Sequence, residues 1–507
     1  MRQSPRYTVV LAVAALAASL PASAQIVWEV NRADDIAEYR CPSTDRCTLR
    51  GAVAVARDED AIFFSPSLAM PIVIELQQTL VVDKDIEIAG PGPGSGSDRV
   101  TLRPAGPFRP LLIRPGADSS ARVMLTDLTI RDGVVMGDAG VDGSAPGAHG
   151  GSGADALGGC LLVDGESGSA SATLNRVAVR DCSVVGGDGG KGAAGLDADR
   201  GAGGTGGNGG SGGDALGAAI AVRRTASLLL IQTSVSDSFA IGGRGGNGGR
   251  GGAGSLAGGA GGAGGRGGSA AGGAIHADSA ILSSAVYVEN GSLLANGLGA
   301  GDGGAGGAGG RSTGFGGNGA AGQHAPGGDV AGGNLYTGPS TMLELVHATL
   351  GPASLVRGNP GNWDGVTETG RGSAQGEVLV AWNWRVRTSA LIGTSPHSLC
   401  GGTTPQSWNG SGSSAASSDL CLQDESLHAG AGSFVAGMAA MPEQGRAAAI
   451  PLRNSRLVDA TGACGATYDQ SGRLRPLDGD GDGVAACDIG AIEVAYSVQI
   501  FADGFGD

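Results

Sequence analysis

The sequence has few aromatic residues and no long apolar stretch beyond its start. Phenylalanine, tryptophan and tyrosine make up 4% of the 507 residues, although 41% are hydrophobic in the wider sense. A core must therefore be built from valine, isoleucine, leucine and alanine, which suits long regular sheets. After residue 24 no apolar run approaches the roughly 20 residues that span a bilayer, so we expect no transmembrane segment.

Several classes of function are disfavoured by what is missing. No CxxC is present, which excludes thioredoxin-type and zinc-ribbon sites, and no HExxH joins the six scattered histidines. The formal charge is −15, and loss of Arg2 and Arg6 with a cleaved leader would make it −17. Nucleic acid and anionic lipid need clustered Lys and Arg, so neither is an expected partner.

The first 24 residues have the pattern of a secretory signal. Arg2 and Arg6 precede the apolar stretch VVLAVAALAASL, and Ala22-Ser23-Ala24 supplies a small-x-small cleavage pattern. We therefore expect an exported protein whose mature chain begins near Gln25. In an oxidising compartment its eight cysteines should form four local disulfides; proximity in sequence suggests the pairs Cys41/Cys47, Cys160/Cys182, Cys400/Cys421 and Cys464/Cys487.

Glycine, at 99 residues, occurs mostly in long runs that separate copies of one repeat. Four segments align after the runs, beginning at Gly158, Gly217, Gly272 and Gly332, with spacings of 59, 55 and 60 residues. Each is followed by a second segment of alternating apolar and polar residues rich in Val, Ile and Leu, which predicts strands. A repeated two-strand unit is stable only when its copies stack. We therefore predict an all-β fold, a right-handed parallel β-helix.

A polar residue recurs at one place in the repeats. Asp132, Asp181, Asp237 and Asn290 each follow a Val or Ile by two positions. A residue that chemistry needs only once would not reappear in every unit. We interpret the four as a structural ladder of turn residues, whose side chains should bond to the backbone of their own turn or the next coil.

The glycine runs stand at the same place in each unit, so on a solenoid they must emerge along one side as lateral loops. They cover residues 137–159, 186–213, 242–273 and 299–333. Their GGX period of three matches the polyproline-II helix. Two states are possible: extended segments that pack side by side, which only glycine allows, or solvated and disordered loops, the commoner outcome for such sequence.

The segment before the repeats predicts a cap for the open end of the solenoid. Leu49, Val53 and Ala56 fall at helical spacing within residues 47–68, and an end coil needs its apolar interior covered. The chain thus divides into a signal peptide (1–24), an N-terminal cap and first coils (25–122), the β-helix (123–400), a C-terminal cap region (401–495) and a tail (496–507).

Motifs at both ends resemble a known family. Cys47-Thr48-Leu49-Arg50-Gly51-Ala52 is similar to the Cys-Ser-Leu-Arg-Glu-Ala signature of bacterial CSLREA-type secreted proteins, with Gly51 in place of Glu. DQSGRLRPLDGDGDGVAACDIGAIE (469–493) is similar to the ending of choice-of-anchor Q proteins, and IFADGFGD resembles a tail of Gram-negative exported proteins, with Gly506 in place of Glu. The resemblance implies a right-handed β-helix that is secreted or held on the outer surface, and no defined reaction.

Two stretches of the sequence are candidate binding sites. Asp478, Asp480 and Asp482 form a DxDxDG stretch that could bind calcium, the only cofactor the sequence suggests; the simpler explanation is a solvated acidic turn near Cys464 and Cys487. Trp382 and Trp384 alternate with Arg385 and Arg387, so a strand there would present indoles on one face and cations on the other. This is the best candidate for a ligand surface; the alternative is a last coil packed on the C-terminal cap.

Catalytic residues are not evident. Asp164, Glu166 and His276 are the lone candidates for acid or base work, and paired carboxylates cannot be placed without coordinates. We therefore expect a secreted or surface protein without a defined reaction, a stiff scaffold whose glycine loops contact a polysaccharide or another extracellular component. The alternative is a polysaccharide lyase or glycoside hydrolase of the pectate-lyase-like type. An enzyme should show unrepeated Asp, Arg and aromatic residues on one coil face.

Overall fold

A computed structural model shows a parallel β-helix, as the repeat predicts. Strands of each coil pair in parallel and in register with those of the next coil. The structure describes residues 25–496 apart from 37–40, 42–45, 93–96, 118, 280–283, 363–368, 394–397, 410–411, 414–438, 441–445, 452–454, 456 and 463. The predicted signal peptide and nearly all of the predicted tail lie outside this range.

The largest sheet, sheet A, has two strands in most coils. The strands that start its coils are Leu80–Val82, Leu111–Ile113, Leu161–Asn175, Ile220–Ile231, Ile275–Asp278, Leu335–Thr337, Leu379–Ala381 and Cys400–Gly402. Its other strands are Val27–Val30, Asp60–Phe64, Ile86–Ala89, Ser120–Thr126, Ser284–Glu289, Thr341–Val346, Asn383–Arg387 and Ser407–Asn409. Leu161–Asn175 and Ile220–Ile231 cover both positions in a single strand.

Three shorter sheets complete the coils. Sheet B contains Ile72–Leu76, Val100–Pro104, Thr129–Arg131, Ala178–Arg180, Ser234–Ser236, Ser292–Leu294, Thr349–Leu350, Ala390–Leu391 and Gly412–Ser413. Sheet C contains Val134–Met136, Ser183–Val185, Phe239–Ile241, Gly297–Gly299 and Ser354–Val356. Sheet D contains Ala156–Leu157, Ala215–Leu216, Ala270–Ala271, Val330–Ala331 and Ala374–Gln375. Ala439–Ala440 and Ala449–Ile450 form a separate antiparallel pair.

Two cores follow from the alternation of side chains along these strands. The larger core is lined by Val, Ile and Leu of sheets A and B, among them Leu161, Ile220 and Val235, all fully buried. A smaller one lies at the sheet C and D strands and is mostly alanine, as at Ala156, Ala215 and Ala240. Because alanine is small, sheets C and D lie close together there. Their strands lead directly into or out of the glycine runs.

The glycine runs are ordered, so the solvated alternative is wrong. Each run leaves sheet C, turns back and returns to sheet D, and the runs of successive coils stack into what we call the glycine bundle. Its outgoing segments are 137–143, 186–197, 242–253, 300–311 and 357–361, and its returning segments are 148–154, 203–213, 258–268, 317–328 and 370–373. They form two layers, one outgoing and one returning.

Hydrogen bonds in the bundle recur every three residues, the period of a polyproline-II helix. The first glycine of a triplet donates to the same layer of the next coil, as Gly189 N does to Arg244 O at 2.7 Å. The second donates to the opposite layer, as Gly190 N does to Gly151 O at 2.8 Å. The backbone of each run is therefore bonded both within the run, between its two segments, and to the runs of neighbouring coils, which orders it without a side-chain core.

The spacing between segments leaves no room for a side chain on these glycines. A Cβ on Gly246 would lie 2.0 Å from Gly190 O, and one on Gly262 would lie 1.9 Å from Gly207 O. Other residues occur where no segment lies behind them. Val141 takes a position that is glycine in later coils, and it is 79% exposed because no outgoing or returning segment precedes its coil.

The third residue of each triplet faces solvent and often carries a side chain that links the coils. Asp188 Oδ1 accepts from Arg244 N at 2.7 Å, and Asn247 Oδ1 accepts from Ala305 N at 2.9 Å. The returning layer does the same, where Asp214 Oδ1 accepts from Ser269 N at 2.7 Å. These side chains therefore satisfy the N–H groups that the glycine pattern leaves open.

The turn residues form two ladders instead of the single one expected. Asp132, Asp181 and Asp237 share the turn from sheet B to sheet C, where their φ angles are 61°, 57° and 54°. The fourth member of that column is Ala295, with φ of 55°. Asn290 belongs to the preceding turn, from sheet A to sheet B, so its inclusion was wrong; that column also contains Asp127, Arg176, Gln232, His347 and Thr388.

The expected bonding of this ladder was also incorrect in part. The carboxylate of Asp132 accepts from Arg131 Nε at 3.0 Å, and the carboxylate of Asp181 lies 3.1 Å from the same guanidinium. Asp and Asn tolerate the left-handed region because their short polar side chains bond locally. That tolerance applies to any turn of this kind, so the residue type did not distinguish the two columns.

The N-terminal cap contains the predicted helix, Leu49–Val55. Thr48 begins it, because its hydroxyl accepts from Gly51 N at 3.1 Å. Leu49, Val53 and Ala56 are buried against the first coils, as the helical spacing indicates. In the part of the chain that the structure describes, no helix has the length and apolar character needed to cross a membrane.

Where it is described beyond residue 445, the C-terminal region lies along the side of the β-helix. The described residues between 446 and 494, which we call the strap, run across the outer face of sheet B. Ala447 N donates to the Ser234 hydroxyl at 3.1 Å, Ser292 donates to Gln470 at 2.5 Å, and Ala491 N donates to the Thr349 hydroxyl at 2.9 Å. Where the strap bonds to sheet B, the outward residues Ser234, Ser292 and Thr349 are small, polar and buried.

A buried ion pair holds the strap together. Arg475 and Glu493 are both fully buried, and Arg475 Nη1 lies 2.5 Å from Glu493 Oε2. Arg475 also donates to the carbonyl oxygens of Asp488 and Gly490 at 3.2 and 2.8 Å. Burial raises the pKa of Glu493 to about 7. A charge at this site is stable only while its partner is present.

Three of the four expected disulfides are present. They join Cys41 to Cys47, Cys160 to Cys182 and Cys464 to Cys487. Cys400 is also disulfide-bonded, but its expected partner Cys421 lies outside the described residues. The bonded cysteines agree with an oxidising compartment.

Replacing an inner glycine should destabilise the bundle. We expect Gly246→Ala to lower the free energy of unfolding by about 1–3 kcal/mol, since a Cβ in a packed site forces the backbone apart. Chemical unfolding and hydrogen exchange of the bundle amides measure this. Gly317→Ala is the control, because nothing lies within 4 Å of the added Cβ. Equal effects of the two changes would contradict close packing of the bundle.

Removing Arg475 should be costly because it leaves Glu493 charged in the protein interior. We expect Arg475→Met to lower the free energy of unfolding by about 3–5 kcal/mol at pH 8. The loss should shrink toward pH 5, because a buried carboxyl with a raised pKa becomes neutral as the pH falls below that pKa.

The exposed pair Arg103 and Glu75 supplies the control. Their side chains are 43% and 52% exposed, so Arg103→Met should cost less than about 1 kcal/mol at either pH. Thermal or chemical unfolding of both variants at the two pH values makes the comparison. A pH-independent loss for Arg475→Met would show that the charge of Glu493 is not its cause.

Candidate functional site

Stacking of the coils places residues about 40 to 60 positions apart side by side on sheet A. Leu162, Ala221, His276 and Tyr336 occupy one outward column, because the strands pair in register through Leu162/Ala221, Ala221/His276 and His276/Tyr336. Two residues further along, Asp164, Arg223 and Asp278 form a second outward column. Outward columns alternate with core columns because the side chains of a strand point to opposite faces.

Three aromatic rings meet at one part of these columns. The rings of His276 and Tyr336 are stacked, with centroids 4.9 Å apart and planes 2° from parallel. The Tyr336 ring meets Trp382 edge to face at 5.6 Å. Trp382 stands in the gap between the strands Leu379–Ala381 and Asn383–Arg387. Tyr336 and Trp382 are half-buried, so each offers part of its ring to solvent.

The ring stack is uncharged at neutral pH. Burial lowers the pKa of His276 to about 4, and burial together with the negative charge of Asp278 raises the pKa of Tyr336. His276 therefore serves as a neutral support behind Tyr336. A neutral, partly exposed aromatic surface suits apolar contact with a ligand ring.

An arginine cluster lies further along the same face. Asp164 is fully buried and receives three guanidinium groups: Arg114 and Arg223 at 2.9 and 2.8 Å, and Arg224 at 3.2 Å. Arg224 also lies 2.8 Å from Glu166. These hydrogen bonds and cations overcome the effect of burial and lower the pKa of Asp164.

A fourth arginine lies behind the cluster. The Arg109 side chain donates to the carbonyl oxygens of Leu157 and Gly158. Burial, followed by repulsion from Arg223 and Arg114, lowers the pKa of Arg109 to about 10. We call the surface formed by Arg114, Arg223, Arg224, Tyr336 and Trp382 the arginine–aromatic face.

The expected ligand surface is only partly correct. Trp384 is fully buried in the main core, and its Nε1 donates to Thr403 O at 2.8 Å. It points inward because the chain changes direction after Trp382, so the two indoles do not share a face. Arg385 and Arg387 are exposed; Arg387 pairs with Glu344, and Arg385 Nε donates to Gln406 at 3.3 Å. Trp382 alone of the four lies on the arginine–aromatic face.

None of the three candidate acids and bases is arranged for proton transfer. Asp164 is held ionised by its guanidinium partners, Glu166 is paired with Arg224, and His276 is enclosed. Sequence reasoning missed Asp278, whose pKa is raised by burial. It also missed the aromatic column. Reading the fifth residue of each aligned repeat, which is Leu, Ala, His and Tyr in turn, would have revealed that column.

The acidic stretch near the C-terminus contributes two of its three residues to a possible metal site. Asp478 and Asp480 come together with Asp459, each offering an oxygen within 4.8 Å of the others. Asp482 is not in this group; its carboxylate accepts from Val484 N at 2.7 Å. Asp459 and Asp478 already accept backbone N–H groups, among them Gly479 N and Gly481 N. Calcium binding here stays a prediction.

Comparisons with known proteins found no matching family model and no matching curated protein. Among solved structures, the chain is similar to the pectate lyase Pel9A, with 11% identity and a TM-score of 0.35 over 92% of this chain and 96% of that one. It is also similar to the nine polyproline type II helical bundle antifreeze protein of the springtail Granisotoma rainieri, with 28% identity and a TM-score of 0.09 over 37% of this chain and 94% of that one. The β-helix itself is evident from the strand pairings described above.

The two tryptophans should differ in what they contribute. Trp384→Ala should lower the free energy of unfolding by about 3–5 kcal/mol, because it empties a large buried site. Trp382→Ala should cost much less, since its ring is only partly buried. Chemical unfolding of both variants, followed by circular dichroism, measures the difference. Similar losses would contradict the assignment of Trp384 to the core and Trp382 to the surface.

Proposed function

We propose that this protein is an exported β-helix scaffold that binds a polysaccharide on its arginine–aromatic face. The observation that supports this most is the stack of His276, Tyr336 and Trp382, three unrepeated rings brought together on one sheet. Aromatic faces and guanidinium groups suit sugar rings and their polar substituents. The backbone beneath them is hydrogen-bonded on both sides, so the site is formed before a ligand arrives.

Binding without turnover fits the chemistry of this face better than catalysis. Its central carboxylate, Asp164, has a lowered pKa and three cationic partners. His276 is neutral and enclosed, and the two lysines of the chain, Lys84 and Lys191, lie outside the face. One observation supports the alternative, a polysaccharide lyase or hydrolase: Asp278, a carboxyl of raised pKa, lies next to Tyr336.

Export and surface location belong to the same proposal. Three disulfides and a further bonded cysteine support an extracellular protein. The resemblance to CSLREA-type and choice-of-anchor Q proteins, and a place on the outer surface of a Gram-negative bacterium, rest on motifs and are proposed on that basis. In this proposal the glycine bundle is a rigid structural ridge, and the binding contacts are made by sheet A.

The proposal predicts that polysaccharide binding depends on the rings of Tyr336 and Trp382, which are partly open to solvent. In a panel of neutral and acidic soluble polysaccharides, the mature protein should bind at least one with no rise in the ultraviolet absorbance of unsaturated products. Replacing Tyr336 and Trp382 together by alanine should weaken this binding tenfold or more, about 1.4 kcal/mol at 25 °C. Isothermal titration calorimetry measures the affinity.

Phe315→Ala is the matched control, because Phe315 is fully exposed at a tip of the glycine bundle. It should leave the affinity unchanged. Release of unsaturated sugars that Asp278→Asn abolishes would instead establish the lyase alternative. If no polysaccharide binds, or if Phe315→Ala weakens binding as much as the double change, the assignment to sheet A is wrong.

A further inference from the structure

We propose that Arg114, Arg223 and Arg224 form an anion subsite, so that the polysaccharide bound here carries carboxylate or sulfate groups. The inference rests on the proposed function and specifies its ligand class. The shared chemistry is an oxyanion that accepts two parallel N–H bonds from a guanidinium, the geometry in which arginine binds best.

The cluster has more positive charge than its own carboxylates neutralise. Arg109 and the three subsite arginines surround Asp164 and Glu166, which leaves an excess of two positive charges. Asp278 lies one coil further on in the same outward column and, where it is ionised, reduces this excess to one. The excess is local, since the whole chain has a formal charge of −15. An anion at this position would be attracted by the cluster and not by the protein as a whole.

The guanidinium groups are also incompletely bonded. The side chains of Arg114, Arg223 and Arg224 are 38%, 29% and 42% exposed. Because the Nε atoms of Arg114 and Arg223 are buried, the donors that can reach a ligand are the exposed Nη groups. The subsite therefore has donors left over after its internal ion pairs are made.

The buried side chain of Arg109 also favours an anion at the subsite. Its pKa is lowered partly by repulsion from Arg223 and Arg114. A bound anion would offset that repulsion and so would be stabilised by all four cations. The cost of gathering like charges is then recovered on binding, as expected where a cluster serves recognition.

The distance to the aromatic rings fits a chain-like ligand. Arg223 lies two coils before Tyr336 and three before Trp382. With about 4.8 Å between neighbouring parallel strands, the separation is about 10–15 Å. A polysaccharide that follows the solenoid axis could therefore place one sugar on the rings and a charged substituent on the arginines.

The ligand test compares polymers that differ in charge. Polygalacturonate and its fully methyl-esterified form present the same backbone with and without carboxylates, and dextran sulfate with dextran tests sulfate in the same way. We expect the protein to bind at least one charged polymer tenfold or more tighter than its neutral counterpart. The preference should decline as salt is added, because screening weakens exposed ion pairs.

Variants assign the preference to the cluster. Arg223→Gln combined with Arg224→Gln should remove most of it, whereas Glu166→Gln should strengthen anion binding twofold or more, since it deletes a competing carboxylate that is 45% exposed. Arg244→Gln with Arg250→Gln removes the same charge from exposed positions in the bundle and should leave it unchanged. Circular dichroism checks folding, and Arg224→Gln alone serves if the double change unfolds.

The outcomes separate the two proposals. Equal binding of charged and neutral polymers, still sensitive to the loss of Tyr336 and Trp382, overturns the anion subsite and leaves the proposed function standing. A charge preference that survives the loss of Arg223 and Arg224, or a weaker affinity for Glu166→Gln, also overturns the subsite. Failure of every polymer to bind overturns both proposals. A preference that moves with the cluster variants and not with the bundle control supports the subsite.

Discussion

The structure depends on hydrogen bonding between successive coils in register. Strands of one coil bond to those of the previous and the next coil, so in the coils that carry glycine runs a side chain lies above its equivalent some 40 to 60 residues away. In sheets A and B this stacking encloses a core of Val, Ile and Leu. In the glycine bundle the same stacking continues without a core, because carbonyl oxygens occupy the space that Cβ atoms would need. The hydrogen bonding between coils that defines the β-helix therefore continues through the glycine runs.

Much of the fold could be predicted because aligning the repeats shows which residues occupy equivalent positions. The alignment of Gly158, Gly217, Gly272 and Gly332 identified the turn from sheet D to sheet A, where all four have φ between 55° and 65°. The disulfides that lie within the described residues and the capping helix followed from local spacing. The order of the glycine runs could not be predicted in this way, since it comes from bonds between segments far apart in sequence. Composition alone favours solvated chains there.

The candidate site shows the same division between local and distant information. Trp382 and Trp384 look equivalent in sequence, and a change of chain direction between two strands separates them into surface and core. Asn290 was assigned to the wrong column because asparagine is tolerated in any left-handed turn, including the one from sheet A to sheet B. His276, Tyr336 and Trp382 come from three different coils, and only the register of the sheets makes them neighbours. An alignment of repeats read column by column recovers the first two rings; the third stands beyond the last aligned segment.

The density of side chains explains why binding is assigned to sheet A and not to the glycine bundle. Along a bundle segment only every third residue carries a side chain toward solvent, at intervals of about 9 Å for a rise of 3.1 Å per residue. Many of those side chains are committed to the next coil, as Asp188 is to Arg244 N. On sheet A every second residue faces outward, at intervals of about 7 Å, and neighbouring coils lie about 4.8 Å apart. Arginine, carboxylate and aromatic groups can therefore reach one another there, as the three partners of Asp164 do. A surface that recognises a ligand needs several groups within its span, and in this chain the outer face of sheet A has the spacing to supply them.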